Sequence, residues 1–121
     1  MAVTVTNQYN PLGGRIIKDT DIEATAQNNV TGASSTIYFI DIDNSANGAA
    51  SFLKIYDHAA PTVGTTDPDW VVRVAASTRS QVVFPQGLAT TTGISLACVT
   101  TGGTGGTTSP TSSVILYVLT S

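Results

Sequence analysis

Reactive side chains are scarce in this chain. It has one histidine, His58, and one cysteine, Cys98. A single cysteine excludes an intrachain disulfide, and any Ser-His-Asp or Cys-His arrangement would have to run through His58. His58 follows an apolar run in Asp57-His58-Ala59-Ala60-Pro61, a loop context, and no Gly-x-Ser-x-Gly elbow occurs. Cys98 lies in the apolar run Ile94–Val99, which suits a buried, inert thiol. Neither catalysis nor a cofactor is expected. Charge is equally thin: charged residues make up 11% of the chain, against about a quarter in ordinary domains. The five cations, Arg15, Lys18, Lys54, Arg73 and Arg79, are dispersed and the net charge is −3, so no cluster can release the counterions that tight nucleic-acid binding needs. No apolar run reaches membrane-spanning length. The start, Met1-Ala2-Val3-Thr4, lacks the basic and apolar regions of a secretory signal. Nucleic acid and membrane are therefore not expected as partners.

Hydroxyls take the place of the missing charges. Thr and Ser fill about one position in four, and Thr is β-branched, stiff and neutral, a residue for strands. A surface of hydroxyls repels its neighbours little, which fits a protein packed beside many copies of itself; it fits a plain Thr-rich β protein as well. The length of 121 residues suits one domain with a real core.

The pattern along the chain is strand and turn. Met1–Gly14 reads as an arm, in which Ala2–Thr6 alternates and Asn10-Pro11-Leu12-Gly13-Gly14 breaks the run; residues 15–121 read as the β domain. Arg15–Lys18 is a short strand or lead-in. Thr20-Asp21-Ile22-Glu23 fits a capping box, yet Ile22, Ala24 and Ala26 alternate as in a strand. A strand is favoured over Asp19–Val30 because the remainder is β. Strands follow at Thr36–Asp43, with Ile37 and Phe39 on one face and Tyr38, Ile40 and Ile42 on the other, and at Ser51–Asp57, with Phe52, Lys54 and Tyr56 opposite Leu53 and Ile55. Trp70–Ala75 puts Trp70, Val72 and Val74 inward. Ser80–Phe84 ends at Pro85-Gln86-Gly87. Leu88–Thr100 is one bent strand or two, with Gly93 as a bulge or kink. Thr101–Ser112 is a Gly/Thr-rich loop, and Ser113–Leu119 closes the chain. About eight short strands without a convincing amphipathic helix predict an all-β antiparallel sandwich, jelly-roll-like, with an extended N-terminal arm.

The run Ser113-Val114-Ile115-Leu116-Tyr117-Val118-Leu119 is apolar on both faces, whereas a sandwich strand needs one buried face. Its second face must be covered either by its own chain, for which the Met1–Gly14 arm is a candidate, or by another subunit. Motifs with chemistry fall away on inspection. Asp43, Ser45 and Asn47 with Gly48 resemble the opening of a calcium loop, but Lys54 stands where the bidentate Glu belongs. Only an incidental ion between Asp41 and Asp43 remains open. Gly102–Thr108 lacks the lysine of a phosphate loop. Asp67 and Asp69 flank Pro68 in a turn, and not on separate elements across a cleft. Asn29-Val30-Thr31 matches a glycosylation acceptor but is idle without a secretory route.

Several segments resemble small tailed-phage virion proteins: Asn29-Val30-Thr31-Gly32; Ile40–Asn44 with Ala46-Asn47; Phe52–Asp57; Ala60–Thr66; Pro85-Gln86-Gly87-Leu88; and Thr92-Gly93-Ile94-Ser95. The similarity runs from about Asn29 to Leu119, and the Leu53–Asp57 and Ala60–Thr66 pair is its most specific part. The resemblance implies a virion structural protein of β-sandwich or jelly-roll type, and brings no catalytic residue with it. The implied role is a capsid cement (decoration) protein that stabilises the head of a bacteriophage by bridging capsid subunits. Its partners would be the major capsid protein and copies of itself, as a homotrimer. It would be assembled in the host cytoplasm and sit on the capsid surface of the virion. Met1–Leu12 and Ser113–Leu119 are the expected contact segments, with Val3, Val5, Tyr9, Leu12, Ile115, Tyr117 and Leu119 at the protein interface. The alternative is a tail- or fibre-associated module that holds a host glycan through loops Ala59–Asp69 and Thr101–Ser112.

Overall fold

The computed structural model describes residues 14–121; the proposed arm, with Val3, Val5, Tyr9 and Leu12, lies outside the described residues. These contain seven strands and no helix: β1 (Arg15–Asp19), β2 (Thr36–Asp43), β3 (Ser51–Asp57), β4 (Trp70–Val74), β5 (Arg79–Ala89), β6 (Ile94–Val99) and β7 (Ile115–Thr120). They form a four-stranded sheet in the order β1-β7-β2-β5 and a three-stranded sheet in the order β4-β3-β6, with every pairing antiparallel. The expected β-sandwich is therefore present. The chain changes sheet between β2 and β3, β4 and β5, β5 and β6, and β6 and β7. Successive strands thus contribute to both sides of one core.

Alternation builds that core. Ile40 and Ile42 of β2, Leu116 and Val118 of β7, Leu53 and Ile55 of β3, and Ile94, Leu96 and Cys98 of β6 are all buried in one cluster. Trp70 and Val72 of β4 pack against it, as their spacing predicts. A fully buried aliphatic side chain contributes roughly 1.5–3 kcal/mol, so this shared interior dominates the stability.

Three local expectations are corrected. First, Asp19–Val30 forms no regular strand. Ile22 is drawn into the core, and the chain then lies along the open edge of β6. Gln27 and Leu96 exchange both backbone bonds, Cys98 N–H donates to Glu23 O (2.8 Å), and Val30 N–H donates to Ile94 O (2.8 Å). Asn29 takes a left-handed φ of 47°, which interrupts any ladder while the edge stays covered. Second, Gly93 lies in the loop between β5 and β6, not in a strand. Its role is space: a Cβ there would stand 2.5 Å from Asn29 Oδ1. Third, β5 runs on through Pro85 to Ala89. Ile37 pairs with Leu88 and Phe39 with Val83, so Phe84–Gly87 bulges opposite the single residue Tyr38. Pro85 is tolerated because β5 is an edge strand at a bulge, and Gly87 supplies a φ of 77°. The irregularity at Tyr38 breaks the period of two in β2. It puts Ile37 on the inner face with Ile40 and Ile42, whereas strict alternation would leave it beside Phe39 on the outer face.

Candidate functional site

The two sheets treat their outer faces differently. On the three-stranded sheet the outward side chains of β3 are Phe52, Lys54 and Tyr56, and the Gly/Thr loop between β6 and β7 folds across Phe52 and Lys54. Lys54 is fully buried, and its Nζ donates to Thr104 O (3.0 Å) and Gly106 O (2.8 Å). The loop's glycines permit this approach: a Cβ on Gly102 would press on the Phe52 ring, and one on Gly106 would strike the Thr101 carbonyl. Burial pushes the Lys54 ammonium below its ordinary pKa. Loop Ala59–Asp69 joins this roof, with the Thr104 hydroxyl on Asp67 Oδ1 and Gly64, at a φ of 93°, beneath the Thr107 methyl.

The outer face of the four-stranded sheet is left open among the described residues. Register places Ile16, Leu119, Phe39 and Val83 in one row across β1, β7, β2 and β5. Ile16 is 70% exposed and Val83 56%. The next row is Lys18, Tyr117, Asp41 and Gln81, followed by Ile115, Asp43 and Arg79. The Lys18 ammonium stands 5.4 Å from the centre of the Tyr117 ring. Arg79 grips Asp41 with two bonds of 2.9 Å, and Gln81 Nε2 adds a third of 3.0 Å. The Arg79 guanidinium holds the Asp41 carboxyl below the usual range despite its burial. Between the two rows lies a cleft of about 240 Å³, walled by Ile16, Phe39, Tyr117 and Leu119 with the Asp41–Arg79 pair at one end.

The sequence-predicted contacts Ile115, Tyr117 and Leu119 all point to this face and are half-buried. Ile16, Phe39, Val83 and the Asp41–Arg79 pair went unforeseen. The adjacent Ile16 and Ile17 were the sole local hint, since one of two neighbouring strand residues must face outward.

The other candidates are placed as follows. His58 is exposed, its Nδ1 accepting from Ala60 N–H (2.9 Å). Cys98 is buried on the inner face, and burial pushes its thiol up to about 12. Asp69 Oδ2 accepts from Asp57 N–H (2.7 Å), so Asp69 is tied to the end of β3 while Asp67 holds the Gly/Thr loop. Asp43 Oδ1 accepts from Ser45 N–H (3.0 Å). Among the described residues no three His, Cys, Asp or Glu side chains converge as metal ligands. Loops Ala59–Asp69 and Thr101–Ser112 do meet, through polar groups spent on each other and on Lys54.

No family model, curated protein or solved structure matches the chain.

Proposed function

We propose that this protein is a structural subunit of a tailed-phage particle, a capsid cement protein that bridges capsid subunits and packs beside copies of itself. The observation that carries the reading is the contrast between the faces: the central strand of one sheet is roofed by the chain's own loop, with Val71 at its edge left exposed, while the other sheet presents, among the described residues, the apolar row Ile16–Leu119–Phe39–Val83, whose first three members wall a cleft. An apolar sheet face of this kind gains stability when another protein covers it. The mechanism is mechanical. Pressure from packaged DNA pulls capsid subunits apart, and a protein seated across their joint opposes this by burying apolar surface on both sides. Covering the exposed part of Ile16 or Val83 contributes about 1–2 kcal/mol each, and many modest joints act together. The low charge and abundant Thr let copies lie side by side without repulsion, and residues 1–12 add a second contact segment.

Copy number tests the reading. Hundreds of copies per particle, seated on the head, are expected; six to a few dozen would move the protein to the tail or a fibre and favour the glycan-holding alternative. Deleting residues 1–12 should leave a folded domain that attaches more weakly. Full occupancy by the truncated protein would remove the arm from the mechanism.

A further inference from the structure

The open face has an occupant available within the same chain. The chain enters β1 at Gly14, whose N–H donates to Thr120 O (2.8 Å). The preceding segment therefore starts beside Ile16 and Leu119, two of the four members of the apolar row. Residues 1–14 contain no charged side chain and include Val3, Val5, Tyr9 and Leu12. The row spans three strand spacings, about 14 Å, whereas residues 1–13 extend up to about 43 Å. A short part of the segment is enough to cross the whole face.

We propose that in the free subunit residues 1–12 lie over the outer face of their own four-stranded sheet, with apolar side chains against Ile16, Phe39, Leu119 and Val83 and in the cleft beside Tyr117. Chain connectivity favours this occupant over a second copy. A tether of a few residues holds the segment at millimolar effective concentration, above that of any neighbour in dilute solution. The uncharged segment brings no buried charge to the face. The seat rests on the proposed docking role only in its consequence: the particle would displace residues 1–12 from the face that it uses, and the displaced segment then serves as the second contact.

The test uses the free, full-length protein. A nitroxide is attached through Thr4→Cys, the buried Cys98 thiol being shielded from the reagent. Amide signals are followed by NMR at low concentration. Loss of the Phe39, Val83 and Leu119 signals is expected, while Arg73, on the other sheet, keeps its intensity. In a mixture of isotope-labelled untagged protein with tagged unlabelled protein, no loss is expected. Undiminished signals in the tagged protein would overturn the seat. Loss that appears in the mixture would overturn it too, by assigning the segment to a second copy. Neither result depends on particle copy number, so failure here is distinct from failure of the cement reading.

Discussion

Asn44 should be the most sensitive polar position in the domain. Its side chain is fully buried in the turn after β2. Nδ2 donates to Ala49 O and Ala75 O, each at 3.0 Å, while Oδ1 accepts from Asn47 Nδ2 (2.9 Å) and the Ser51 hydroxyl (2.8 Å). One amide thus joins the β2–β3 turn to the end of β4. Asn47 extends the link to the end of the Gly/Thr loop, donating to Ser112 O and accepting from Ser112 N–H. In Asn44→Ala, Ala49 O, Ala75 O and the Ser51 hydroxyl lose their partner, while Asn47 keeps Ser112. At about 1–3 kcal/mol per stranded buried group, with partial relief by water, the loss is about 3–5 kcal/mol. That is a large share of the roughly 5–15 kcal/mol of a typical domain and lowers Tm by on the order of 12–20 °C. Asn44→Asp adds a signed test. The introduced carboxylate faces two carbonyl oxygens, so its folded-state pKa must rise above the unfolded value of about 3.9. The folded state then binds more protons than the unfolded one, and the variant loses stability relative to the parent as pH rises through the folded pKa. Urea unfolding of the parent and both variants at pH 4 and pH 7 measures this. Both variants staying within about 0.5 kcal/mol of the parent, or a pH-independent gap for Asn44→Asp, would refute the reasoning.

Three other perturbations probe the roof and its supports. Gly106→Ala drives a methyl into the Thr101 carbonyl and should cost about 1–3 kcal/mol, with faster amide exchange over 101–109; unchanged exchange would show that the loop has room. Lys54→Met should also free the loop, visible as faster exchange at Thr108 and its neighbours. Because burial lowers the Lys54 pKa, the unfolded state binds more protons just below about pH 10.4, so the parent gains stability with rising pH in that window and Lys54→Met does not. Parallel pH profiles for the two proteins would contradict this. Burial raises the Asp57 pKa, but the N–H groups of Thr91, Thr92 and Gly93 and the Thr91 hydroxyl outweigh it and hold the carboxyl low. Its stabilisation is complete above the unfolded pKa and is lost as pH falls through the folded value. Asp57→Ala should therefore be destabilised by about 1–3 kcal/mol at pH 7 and less at pH 3; equal losses at both pH values would argue against it.

Local pattern determined the class of fold. Alternation in Ser51–Asp57 and Trp70–Val74 named both the strands and their inward residues, because a side-chain period of two needs no information from elsewhere in the chain. The doubly apolar run Ser113–Leu119 likewise put apolar side chains on both faces of one strand, and Ile115, Tyr117 and Leu119 do lie on one outer face. What pattern could not supply was anything that depends on a partner far along the chain. Ile37 turns inward with Ile40 and Ile42 only because four residues of β5 are accommodated opposite Tyr38. Asp19–Val30 follows the edge of β6 because that edge needs its backbone groups paired. The Gly/Thr stretch reads as a bare hairpin loop until Lys54, some fifty residues earlier, is found beneath it. Arg79 and Asp41 meet across a strand pair that no local signal specifies. Sequence alone thus decides which residues alternate, since that is a property of neighbours; tertiary structure alone decides which outer face is roofed by a distant loop and which is left open among the described residues, since that is settled by where distant segments come to rest.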